Sequence, residues 1–149
     1  MKKYCTILLL SFAVFCFSQK IEYPEAKDGY KKVELKLLSK IHDKDYKIEI
    51  FVTFMSKVAQ CMSVTSTVKL EREYLLENNR YVYYEVKNKN VQTLGLTNSD
   101  CGLKINKKIY NNPLLEEYHS TYPYIFYIPK NMEIEYRIWK VEPKYIQVN

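Results

Sequence analysis

Few side chains in this sequence have the types and spacing that covalent or acid–base chemistry needs. The only histidines are His42 and His119. His42 stands beside Asp43 in a polar stretch, the setting of a solvated loop histidine. His119 precedes Ser120. A nucleophilic serine, however, needs a base within hydrogen-bond reach and a third group to orient that base, and adjacency supplies neither. No G-x-S-x-G segment occurs, and three glycines are too few for a phosphate-cradling loop. No cluster of histidine and cysteine has the spacing of metal ligands. The carboxylate pairs Glu116-Glu117 and Glu71 with Glu73 lie in charge-mixed segments and read as solvated faces. These residues argue against an enzyme, and neither a cofactor nor a metal is expected.

The cysteines gain meaning from the start of the chain. Lys2 and Lys3 precede an apolar run from Ile7 to Phe17, followed by Ser18-Gln19, the pattern of a cleaved export signal over residues 1–18. The run is too short to span a bilayer. Cys16 follows Ala13-Val14-Phe15, unlike the small residues that precede a lipidated cysteine, so no membrane anchor is expected. The expected product is one domain over residues 19–149, periplasmic or secreted. Cys5 and Cys16 leave with the signal, so Cys61 and Cys101 remain as one pair in an oxidising compartment. A Cys61–Cys101 bond is expected, against the alternative of two separate buried thiols. Closing a loop of about 41 residues would remove unfolded-state entropy worth roughly 4 kcal/mol. Of 23 basic residues two belong to the signal, so 21 remain against 17 acidic ones, a mature charge of +4. The basic residues alternate with acidic ones, as in Lys69, Glu71, Arg72 and Glu73, which leaves no stripe for nucleic acid.

What must position a functional segment is a β scaffold. Fifteen tyrosines and six phenylalanines favour pleated surfaces. Tyr46, Ile48, Ile50, Val52 and Phe54 alternate with polar residues, as do Met132, Ile134, Tyr136 and Ile138. Weaker strand patterns cover 32–38, 64–70, 80–86, 103–109 and 122–128. Turns are expected at 39–45, 77–79, 111–113 and 129–131. An all-β antiparallel sandwich or barrel follows. The longest stretch without a pattern lies between Val86 and Leu103, and a loop of that length suits recognition of a partner.

Three blocks give the chain a resemblance to the ecotins, dimeric serine-protease inhibitors of the bacterial periplasm. Residues 23–32, YPEAKDGYKK, resemble the family's opening Y-P-x-A-x-x-G-x-x-R/K segment. Residues 81–86, YVYYEV, are similar to the strand that leads into its reactive loop. Residues 127–142 resemble its Y-x-P-x-N-x-x-x-x-Y-R-x-W-x-x-E segment, through Pro129, Asn131, Tyr136, Arg137, Trp139 and Glu142. The resemblance implies an antiparallel β fold and a homodimer formed by exchange of C-terminal strands, with Met132, Ile134, Tyr136, Ile138 and Trp139 in the arm. It also implies a peptidase partner, blocked by an extended loop that enters the cleft as a substrate does. That loop would be Leu96, Thr97, Asn98, Ser99 and Asp100, fastened at Cys101, with the scissile bond between Asn98 and Ser99.

The chain departs from the pattern where specificity resides. The family's T-M-M-A-C is replaced by Thr97-Asn98-Ser99-Asp100-Cys101. Methionine adapts to several pockets, whereas an asparagine amide must exchange water for hydrogen bonds. Asn98 is the first choice for the specificity residue and Leu96, reached by a shifted loop, the second. Loss of inhibition with retention of the fold, leaving an envelope binding protein, is the alternative reading. The secondary protease contact would fall on Arg80, Tyr81, Tyr118 and His119, where the family's tryptophan and arginine anchors are missing.

Overall fold

The computed structural model describes residues 21–75, 81–87, 102–142 and 147, with the backbone alone for 93–96. Ten strands and one short 3-10 helix, Asp43–Asp45, make up the described elements. In chain order the strands are β1 (Tyr30–Leu35), β2 (Tyr46–Ala59), β3 (Ser63–Ser66), β4 (Leu70–Tyr74), β5 (Val82–Val86), β6 (Thr93–Leu96), β7 (Lys104–Tyr110), β8 (Leu114–Glu117), β9 (Tyr124–Pro129) and β10 (Met132–Lys140). One sheet has the order β1-β9-β5-β4; a second places β10 on one side of β2 and both β7 and β8 on the other; β3 and β6 form a separate ribbon. All pairings are antiparallel except β5 with β9.

The two sheets share one core. The alternation along β2 sends Ile48, Ile50, Val52 and Phe54 inward, against Tyr84 and Val86 of β5 and Tyr124, Phe126 and Ile128 of β9. Tyr84 stacks on Tyr124 and Phe126, with ring centroids 6.4 and 5.5 Å away. Burial pushes the Tyr84 hydroxyl up to about 12. β9 is buried along its whole length because the other face of the sheet is covered too. The segment before β1 lies there, and Tyr127 donates its hydroxyl proton to the carbonyl of Pro24.

Several expectations change. The run 64–70 is two strands, β3 and β4, with Val68 buried between them. The stretch from Val86 to Leu103 contains a strand, β6. Residues 111–113 do not reverse the chain; they form a bulge between β7 and β8, which both pair with β2. Thr53 faces Tyr110 and Ile50 faces Leu114, so one extra residue is accommodated opposite β2. Asn111 makes this possible. Its N–H donates to the Val52 carbonyl at 3.2 Å and its Oδ1 accepts the Val52 N–H at 2.8 Å, so a side chain replaces the acceptor that the ladder loses. The 129–131 turn is present and carries the chain from β9 in one sheet to β10 in the other.

Candidate functional site

The segment expected to meet a partner begins in the ribbon. β6 runs antiparallel to β3, with Thr93 opposite Ser66 and Leu96 opposite Ser63. Leu96 is therefore backbone-paired rather than part of an open loop. Thr97, Asn98, Ser99, Asp100 and Cys101 lie outside the described residues. The chain is described again at Gly102, whose φ of 59° lies in the left-handed region that glycine tolerates, and it enters β7 two residues later. Leu103 accepts the Gln60 N–H at 2.9 Å, one rung beyond the Ala59–Lys104 pair.

Gln60 to Met62 is the turn that carries Cys61, which is exposed. The Met62 N–H closes the turn on Ala59 at 3.0 Å. The Lys107 ammonium, reaching over from β7, donates to the carbonyls of Gln60 at 2.7 Å and Met62 at 3.0 Å. One cation thus holds the backbone on both sides of Cys61. Lys107 was missed in the sequence because its partners are carbonyls 47 and 45 residues away.

The residues expected to form a secondary surface separate. Arg80 lies outside the described residues. The half-buried Tyr81 ring meets Tyr122 edge-on at 5.4 Å. Tyr118 is only 3% exposed; its hydroxyl donates to the Leu38 carbonyl and its ring leans on Tyr46 at 5.9 Å. Its side chain belongs to the core. His119 is half-buried and stacks on Tyr124 with centroids 4.2 Å apart, while its Nδ1 is buried without a hydrogen-bond partner. Burial holds its pKa below the ordinary histidine value.

Beside it, Ser120 donates to Asp43 rather than to His119: the hydroxyl at 2.7 Å and the backbone N–H at 2.9 Å both reach Oδ2. Lys40 N–H reaches Oδ1 at 2.9 Å. The Ser120 hydroxyl, followed by the Lys40 amide, holds the Asp43 carboxyl below its usual value. Asp43 therefore staples the connection before β2 to the one before β9. Glu116, read as solvated, is in fact the ion-pair partner of Arg72, a link between the two sheets. Among the described residues no three of His, Cys, Asp and Glu converge as a metal site would require.

The expected exchange arm is paired within its own chain. Met132 lies opposite Phe54, Ile134 opposite Val52, Tyr136 opposite Ile50, Ile138 opposite Ile48 and Trp139 opposite Lys47. Met132 is buried, whereas Tyr136, Ile138 and Trp139 are 44%, 41% and 51% exposed. Glu49 Oε2 accepts from Arg137 Nε and Trp139 Nε1, each at 2.9 Å, and the guanidinium covers Phe51 at 4.9 Å. Beyond β10, the Val141 N–H donates to the Asp45 carbonyl at 2.8 Å. Nine residues of continuous ladder join Met132–Lys140 to β2 within one chain.

Comparison with known proteins finds relatives along most of the chain. The chain is 26% identical over 156 residues to the ecotin of Pseudomonas fluorescens, an alignment covering 93% of this chain and 91% of that one. It is 27% identical over 119 residues to the ecotin of Pseudomonas putida, covering 78% and 74%. The sequence profile of the Ecotin family matches residues 19–141, which includes every described strand. The chain belongs to the ecotin family.

Proposed function

We propose that this protein is a periplasmic or secreted inhibitor of a serine peptidase, or of another peptidase that accepts asparagine. Residues 96–100 would enter the cleft as a substrate does, with the scissile bond between Asn98 and Ser99. Family membership supports the inhibitory role. The observation that carries the reading is anchorage on both sides of that segment. Its first residue, Leu96, is fixed opposite Ser63, and Leu103 beyond its far end is fixed to Gln60. A segment held at both ends loses little freedom on docking and keeps cleaved ends close enough to rejoin.

A Cys61–Cys101 bond fits the same frame. Cys61 follows Gln60, whose N–H bonds Leu103, and Cys101 stands two residues before Leu103 in the sequence, which supports the pairing. Among the described residues, the partner-facing secondary surface reduces to Tyr81 and His119. For the homodimer, the exchanged arm is Met132, Ile134, Tyr136, Ile138 and Trp139, of which the exposed Tyr136, Ile138 and Trp139 would supply apolar area to a partner subunit.

The test is a panel of peptidases titrated with the mature protein. An inhibitor reduces activity in stoichiometric amounts and survives intact. Asn98→Met should strengthen inhibition of trypsin- and chymotrypsin-type enzymes by about tenfold or more, since it removes the cost of burying an amide. Rapid cleavage without loss of activity across the panel sinks the reading and leaves a binding protein of the same fold.

A further inference from the structure

The outer face of the β1-β9-β5-β4 sheet carries a second candidate site, on a sheet separate from the β3-β6 ribbon. Register puts Glu85 of β5 beside Tyr127 of β9, and Tyr30 of β1 opposite Pro129, on one face. An uncovered sheet face would expose these side chains, but the segment before β1 crosses them and leaves a half-open cavity of about 80 Å³. Pro24, Glu25, Lys27, Tyr30, Tyr83, Glu85 and Tyr127 line it, and Glu25 adds a second, exposed carboxylate to that of Glu85. The Glu85 side chain is 8% exposed, a position where a carboxylate is costly without a counter-charge.

The lining selects for a cation. Tyr30 commits its hydroxyl proton to the Val86 carbonyl at 2.8 Å, and Tyr127 commits its own to Pro24. Neither proton is left to serve an anion. What the walls offer is ring surface, with Tyr83 and Tyr127 meeting edge to face at 5.3 Å, and the Glu85 carboxylate. Lys27 Nζ contacts Glu85 Oε1 at 2.8 Å, yet the Lys27 side chain is 72% exposed. Lys87 Nζ stands 4.0 Å from Oε2 and lies closer to Glu73, at 2.5 Å. An ammonium on a long, mobile stem thus occupies the mouth of an aromatic cavity that has a carboxylate at its base, the arrangement used to recognise alkylammonium groups.

We propose that this cavity binds a primary alkylammonium group, with Glu85 as counter-ion, Tyr30, Tyr83 and Tyr127 as the wall, and Lys27 as the internal stand-in that the ligand displaces. The same chemistry is carried by a free amine and by the side chain of a lysine. The site does not depend on peptidase inhibition.

Calorimetric titration of the full-length protein with butylammonium, with 1-butanol as the neutral counterpart, tests it. A lysine blocked at both backbone ends forms a further arm. Butylammonium should bind and butanol should not; binding of the blocked lysine as well identifies a lysine-bearing ligand, and its failure to bind identifies a free amine. Glu85→Gln should weaken butylammonium binding by about tenfold or more, because the bond to a charged acceptor is lost. Lys27→Met should tighten it by up to roughly fivefold, the most that an exposed competing pair supplies. Equal binding of butanol, or no tightening in Lys27→Met, overturns the proposal. Lys27 is exposed, so that second readout stands even where Glu85→Gln fails to fold.

Discussion

β2 joins two ends of the molecule that are held by different means. At its start, Tyr46, Tyr118, His119 and Tyr124 pack ring against ring, and Asp43 ties two connections through Ser120 and Lys40. At its finish, the Cys61 turn and the β3–β6 ribbon are held by backbone hydrogen bonds and by Lys107. The first end is stabilised by burial, which is non-directional and large. The second is fixed by directed bonds that are individually modest. Under the proposed function, the segment offered to a peptidase needs position rather than buried area, and the difference between the ends fits that need.

Four tests, using five substitutions, can break or sharpen this contrast. Tyr118→Ala at the aromatic end should cost about 3 kcal/mol or more in urea unfolding, through the cavity it opens and the Leu38 carbonyl it leaves unpaired; a loss below half of that would place the ring outside the core. Midway along β2, Asn111→Ala strands the buried Val52 N–H and should cost about 1 to 3 kcal/mol, read as a lower denaturation midpoint at unchanged slope. The third change concerns acid. His119 and Asp43 both have lowered pKa values in the folded state, so in each case the unfolded chain binds the proton first and stability falls with pH. The histidine contribution fades as pH drops below about 6.5 and the aspartate contribution below about 4. His119→Gln should flatten the melting-temperature profile in the upper window and Asp43→Asn in the lower; an unaltered profile in both would disconnect these groups from stability. The smallest global effect belongs to Lys107→Met. Its exposed bonds should shift stability by less than about 1 kcal/mol, while mass spectrometry of limited digests should show faster cleavage near residues 97–101. Equal cleavage rates would remove Lys107 from any role in bracing that segment.

The scaffold was legible where one physical pattern repeats. The alternation in β2 and β10 is regular because one face of each meets the core, and both strands lie where that pattern put them. β8 escaped because Pro113 and the Glu116-Glu117 pair resemble a break, yet Glu116 turns to Arg72. β6 escaped because Gly95 interrupts a run of only four residues. The bulge at Asn111 could not be separated from a turn without knowing that Val52 lacks a ladder acceptor. Tyr118 and Trp139 were read through family resemblance as contact residues. The fold buries the first and gives the second an internal partner, Glu49. Asp43 with Ser120 and Glu85 with Lys27 were invisible because each couples segments 77 and 58 residues apart.

The pairing of β1 with β9 also bears on the order of assembly. Tyr30 lies opposite Pro129 and Leu35 opposite Tyr124, so the first strand of the sheet waits for almost the last. β2 and β10 are likewise drawn from opposite ends of the chain. Such distant closures are slow, since chain entropy must be lost before any contact is gained. A nascent chain halted before Tyr124 has neither β9 nor β10, so neither sheet is complete and Ile48, Ile50 and Val52 have no finished core to enter. Hairpins such as β4–β5 can pair earlier, but closure of both sheets falls at the end of synthesis.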